Sequence, residues 1–126
     1  MKIIRNTLLL IVIAAFSFHA EATIFQIQNI RIGPNPLIKQ RDGMQINYVS
    51  TVPHTSSYYM FTVTGELVLQ KHFGLNTPNI TNAGECQFEL FQAHELATLP
   101  SQVYIMVLKT TALNETKTSK KYVIIK

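Results

Sequence analysis

"YYMFTVTGELVLQKHF", Tyr58 to Phe73, is the stretch that decides the fold. Tyr58 to Val63 is apolar on both phases and rich in β-formers, the pattern of a strand in the middle of a sheet. Thr64-Gly65 makes a tight turn, with Gly65 placed where a turn requires it. Leu67, Leu69 and Phe73 carry the return strand of a hairpin.

Outward from this hairpin the dominant period stays at two. After an Arg41-Asp42-Gly43 turn, Met44, Ile46 and Tyr48 alternate with Gln45 and Asn47, a half-buried strand. Cys86, Phe88 and Leu90 alternate in the same way with Gln87 and Glu89. Nearer the start, Phe25 and Ile27 alternate with glutamines before the apolar phase slips to Ile30 and Ile32. A one-residue slip turns side chains to the other face, so a bulge or a crossing between sheets is expected near Gln28-Asn29. Gly33-Pro34-Asn35-Pro36 follows directly. Each proline lacks an N–H and holds the preceding residue extended, so pairing must stop there and the segment becomes a rigid connector at a sheet edge.

Gly74 to Gly84 reads as a surface loop, and Ala93 to Ser101 as a single helical turn ending at Pro100. Val103 to Leu108 is a continuous apolar run, a second central strand. Leu113-Asn114-Glu115-Thr116 reads as a hairpin loop, and Tyr122 to Ile125 closes the sheet. Seven short strands without an amphipathic helix indicate an all-β chain folded as a two-sheet sandwich. Its expected core includes Phe61, Val63, Leu69, Phe88, Leu90, Ile105, Val107 and Ile124. Tyr104 is expected in the core too, with its hydroxyl bonded to a nearby carbonyl as in a tyrosine corner.

The first 22 residues stand apart from this domain. Lys2 and Arg5 form a positive n-region, Leu8 to Phe18 an apolar h-region, and Ala20-Glu21-Ala22 a signal-peptidase site. Cleavage before Thr23 is expected, since about 20 apolar residues are wanted for a membrane span. What remains, residues 23–126, is long enough to bury one core without staples. Cys86 is the one cysteine in the sequence, so no intrachain disulfide can form, and its apolar phase marks it as buried.

The whole chain carries 11 basic and 7 acidic residues; without Lys2, Arg5 and Glu21, nine and six remain. Lys117, Lys120, Lys121 and Lys126 crowd the C-terminus. They do not interleave with aromatics in a basic stripe, so nucleic acid is not an expected partner. Solvated lysines protecting a sheet edge are the plain reading, and a surface for export machinery or an anionic glycan is the sharper one.

Catalytic constellations come close and fail. His94-Glu95-Leu96-Ala97-Thr98 opens like a zinc-protease helix but has Thr98 where the second histidine should stand. His54 and His72 have no partner at metal-ligand spacing and are expected to be exposed. Asp42, Glu66, Glu85, Glu89, Glu95 and Glu115 form no acid–base pair and read as solvated surface. No nucleophile elbow or glycine-rich phosphate loop is present. The sequons Asn79-Ile80-Thr81 and Asn114-Glu115-Thr116 fall in expected loops. No enzymatic activity, metal, cofactor or small-molecule substrate is expected.

Four motifs stand in order: Gly33-Pro34-Asn35-Pro36, Met60 to Val68 (MFTVTGELV), Leu99 to Tyr104 (LPSQVY), and Lys120 to Lys126 (KKYVIIK). Over Arg31 to Lys126 this series resembles the C-terminal sorting domain of the bacterial type IX secretion system. That domain is a relative of the immunoglobulin-like domain of the flagellar hook-capping protein. The resemblance implies a seven-stranded immunoglobulin-like β-sandwich that serves as an address. A signal peptide would bring it to the periplasm, and the outer-membrane secretion machinery would recognise it and pass it to the cell surface or the medium. The residues it marks for recognition are Pro34, Asn35, Pro36, Gly65, Tyr104, Lys120, Lys121 and Lys126. Gln102 stands where the family usually has glycine, the loop from Gly74 to Gly84 is longer than the family's turn, and only Thr23 to Ile30 is left as cargo. The alternative is a stand-alone adhesion or envelope-assembly module that pairs through a sheet edge with a protein or glycan partner.

Overall fold

The computed structural model describes residues 24–126, so the expected leader over residues 1–22 lies outside the described part. Seven strands follow one another: β1 (Ile27–Gly33), β2 (Met44–Ser50), β3 (Thr55–Thr62), β4 (Leu67–Phe73), β5 (Gly84–Phe91), β6 (Gln102–Ala112) and β7 (Glu115–Ile125). One helical turn, α1 (Ala93–Leu96), sits between β5 and β6. They form two antiparallel sheets, β1-β2-β5 and β4-β3-β6-β7, packed as a β-sandwich.

The core between the sheets is built by strict alternation. Met44, Ile46 and Tyr48 of β2 meet Tyr58 and Met60 of β3 and Tyr104, Met106 and Leu108 of β6, all buried. Leu96 of α1, Leu99, Val123 and Ile125 close one end of it. Tyr58, Phe73 and Phe88 pack edge to face, with ring centroids 5.7–5.8 Å apart. Such offset contacts suit the ring quadrupoles. Cys86 is buried and free, as its phase implied. Residues 24–126 hold both sheets and the core between them.

The expected bulge is present. Gln28 pairs with Val49 and Arg31 with Asn47, and Asn29 between them takes φ 57°. Gly65 has φ +93°, as the β3–β4 turn demands of a glycine. The Tyr104 hydroxyl donates to the Pro100 carbonyl at 2.6 Å, giving the expected corner.

Several expectations need correction. Of the proposed core residues, Leu90 is buried and Leu69 and Phe88 pack against the core. Phe61, Ile105 and Val107 instead lie on the outward phase of β3 and β6 and are half-buried, while Val63 is 62% and Ile124 38% exposed. The reason is architectural. Both phases of these strands are apolar, yet among the described residues only one face of the four-stranded sheet is covered. β6 and β7 also run longer than expected, joined by a two-residue turn at Leu113-Asn114 with φ 51° and 62°. Positive φ at both positions marks the hairpin turn that matches strand twist. The segment from Gly74 to Gly84 is not wholly superficial either, because Thr81 is fully buried.

Candidate functional site

Strand register gathers most of the marked residues at one end of the four-stranded sheet. Thr62 faces Tyr104, Tyr104 faces Val123, and Gln102 faces Ile125. The end of β3, the start of β6 and the end of β7 are therefore neighbours, with the Gly65 turn just beyond.

The connector completes this end. β1 stops at Gly33, and residues 34–39 cross to the other sheet and lie along the outer edge of β7. The Asn35 side chain accepts the Ile124 N–H at 3.0 Å and donates to the Tyr122 carbonyl at 3.4 Å. Leu37 then forms a parallel bridge with Ile125. Its N–H donates to the Ile124 carbonyl at 2.7 Å, and its carbonyl accepts the Lys126 N–H at 2.8 Å. The Lys39 N–H donates to the Lys126 carbonyl at 2.9 Å. Pro34 and Pro36 are exposed, while the Leu37 side chain is fully buried and anchors the segment. A proline pair cannot extend the β1–β2 ladder, and that frees the chain to leave it.

Further along, Asp42 ties the connector off by accepting the Ile38 N–H at 3.0 Å and pairing with Arg41. The Arg41 guanidinium and then the Ile38 N–H hold its carboxyl below the ordinary range. Beside it an open cleft of about 550 Å³ is lined by Arg41, Glu89 and His94 among others. Two of its charges are already engaged: Arg41 with Asp42, and Glu89 with Gln45 at 3.0 Å.

The remaining marked residues separate. Tyr104 is buried with its hydroxyl engaged, so it holds the β6 start and presents nothing to solvent. Lys120 projects from the outward phase of β7 with its ammonium 5.6 Å from the Tyr122 ring centroid. Lys121, opposite Met106, is exposed on the other phase, and Lys126 is the exposed last residue. This end offers backbone held in register and lysine charge.

A second polar cluster, at the opposite end, was missed by sequence reasoning. His54 is completely buried, not exposed as expected. Its Nε2 lies 2.7 Å from the Tyr48 hydroxyl and its Nδ1 3.1 Å from the Val52 carbonyl, which is what permits burial. Desolvation lowers the imidazole pKa, against the opposing pull of the Val52 and Ile80 carbonyls. The Tyr48 hydroxyl lies 2.8 Å from the Ile80 carbonyl and accepts from Tyr58 at 3.4 Å. Burial pushes Tyr58 up to about 12 and Tyr48 higher. No sequence signal marks this cluster; the Thr81 hydroxyl bonds the adjoining loop to itself at Gly74 and Thr77, and the Thr81 carbonyl accepts the His54 N–H at 3.0 Å. Among the described residues no group of three or more His, Cys, Asp or Glu is placed to hold a metal ion.

By sequence, no protein family and no curated protein matches this chain. By structure, 83% of the chain superposes on part of dimeric latent PorU from Porphyromonas gingivalis, with a TM-score of 0.56 and 14% sequence identity. The match spans 10% of the length of PorU. At that identity the likeness is one of fold.

Proposed function

We propose that this chain is a non-enzymatic, exported β-sandwich of the immunoglobulin-like kind that serves secretion or cell-surface display as a sorting module. The observation that carries this is the seam between residues 35–39 and the end of β7. It joins the first and last of the four motifs that resemble the type IX sorting domain, 89 residues apart at Asn35 and Ile124. An address read on a folded surface needs its terminal strand held in place, and this seam supplies that. PorU, which contains a domain of similar fold, is a type IX secretion system protein. This supports a secretion-related role at the level of fold.

The test is location. In a host with a type IX system, the wild-type chain and Lys121→Glu/Lys126→Glu would be fractionated into periplasm, outer membrane and medium. Both positions are exposed, and a thermal melt checks that the variant folds. Wild type at the surface or in the medium with the variant held in the periplasm supports an address. Identical periplasmic retention of both forms would sink it.

A second reading, an assembly module pairing through a sheet edge, has its own observation. From Glu115 to Lys121 no described strand is hydrogen-bonded to the outer edge of β7, and the start of β1 only comes near it. A groove of about 360 Å³ runs there between Gln26–Gln28 and Lys117–Ser119. An extended peptide could add to this edge.

A further inference from the structure

The outward face of the β4-β3-β6-β7 sheet changes character along its length. At the end carrying the Gly65 turn, Leu67, Phe61, Ile105 and Tyr122 form one apolar row across all four strands, with Val103 and Ile124 in the next. Leu67 is 44% and Tyr122 60% exposed, values high for large apolar side chains on a sheet face. Toward the other end the face becomes cationic. The Lys109 ammonium lies 5.7 Å from the Tyr59 ring centroid and that of Lys120 lies 5.6 Å from Tyr122. No carboxylate stands on an outward strand position of this face.

We propose that this face docks on an anionic phospholipid bilayer surface, a role beyond the sorting function and independent of it. Three features favour that occupant. With strands about 4.8 Å apart and a rise of about 3.3 Å per residue, the apolar region covers about 200 Å². That is about a quarter of the roughly 800 Å² per partner that a stable dimer buries, and a second copy would also oppose lysine to lysine. The charge is of one sign, which complements an anionic leaflet and is worth about 1 kcal/mol per lysine near the surface. Lysines lying over tyrosine rings at the margin of an apolar patch put amphipathic groups where a bilayer interface places them.

The experiment is co-sedimentation with phosphatidylcholine vesicles, with and without about a third of the lipid as phosphatidylglycerol. The protein begins at Thr23, because the apolar Leu8–Phe18 run would partition by itself. Val103→Thr/Tyr122→Thr/Ile124→Thr replaces the exposed apolar residues that β6 and β7 place in the two rows with a β-former, and Lys109→Glu/Lys120→Glu independently reverses the charge. Thermal melts check that each folds. Binding to the anionic vesicles alone is expected, weakened by salt and reduced about tenfold or more by either variant. The proposal is overturned if wild type stays in the supernatant, or if the variants bind as well as wild type. Dimerisation in light scattering that the threonine variant abolishes would replace the lipid with a second copy. Retention on insoluble peptidoglycan without vesicle binding would replace it with a glycan.

Discussion

The side-chain amide of Asn35 takes the place of a strand residue beside Ile124, accepting its N–H and donating to the carbonyl two residues earlier. This contact closes the connector onto the final strand. Asn35→Ala should cost about 1 kcal/mol, the net worth of a solvent-accessible hydrogen bond. For a domain of this size that is a fall in Tm of about 4–8 °C. Amide exchange at Ile124 should quicken while exchange at Met106, in the sheet interior, does not. Equal effects at both would mean the amide acts on the whole fold and not on the edge.

Tyr104→Phe removes only the hydroxyl that donates to the Pro100 carbonyl. A loss of about 1–2 kcal/mol is expected in urea unfolding with an unchanged m-value. A larger m-value change would indicate that the corner shapes the denatured ensemble as well.

His54 sets an acid limit on stability. Its pKa is lowered in the folded protein, so the unfolded state binds more protons as pH falls below the free-histidine value near 6.5. The stability contribution is therefore full above about pH 6.5 and declines as pH falls toward the folded value. Melting temperature should drop between pH 7.5 and pH 5. His54→Gln, itself less stable, should show a flatter dependence over the same range. A parallel decline in both proteins would assign the effect elsewhere.

Lys71 points inward from the edge strand β4, donating to the Leu90 carbonyl at 2.7 Å and pairing with Glu95 of α1 at 3.1 Å. Its ammonium also lies 5.1 Å from the Phe91 ring centroid. Both charges are about a third exposed, so the ion pair itself should contribute below about 1 kcal/mol. Lys71→Met should cost about 1–2 kcal/mol, chiefly from the abandoned carbonyl, and Glu95→Gln much less. Equal costs for the two single variants would put the energy in the charge pair.

Cys86 is buried in the sandwich, and desolvation raises its thiol pKa. Native protein should react slowly with a thiol reagent, and sub-denaturing urea should accelerate labelling in step with global unfolding. Rapid labelling without urea would show local opening of β5.

The two-sheet plan was legible because alternation in β2 and β5 is clean and the turn glycine at Gly65 is obligatory. The outward phase of β3 and β6 was misread for a physical reason. Phe61, Ile105 and Val107 look like core because hydrophobicity reports a tendency to be covered, not which face is covered. β7 was expected to start at Tyr122, because Glu115 to Lys121 is polar and shows no apolar alternation. His54 could not be placed from sequence, since its burial depends on the Tyr48 hydroxyl and the Val52 carbonyl arriving together. The connector was recognised as a strand stop with an edge role. Its attachment to β7 was invisible, and Leu37, one apolar residue directly after Pro36, was the available clue.

The parallel pairing of Leu37–Lys39 with Ile124–Lys126 also has a mechanical consequence. When the chain is pulled from its two ends, the connector is drawn one way and the last strand the other. The hydrogen bonds at Leu37 and Lys39 then lie across the force and are loaded together in shear, unlike the antiparallel β6–β7 hairpin, which can open rung by rung. At the C-terminal end the first resistance to tension is thus placed in this seam.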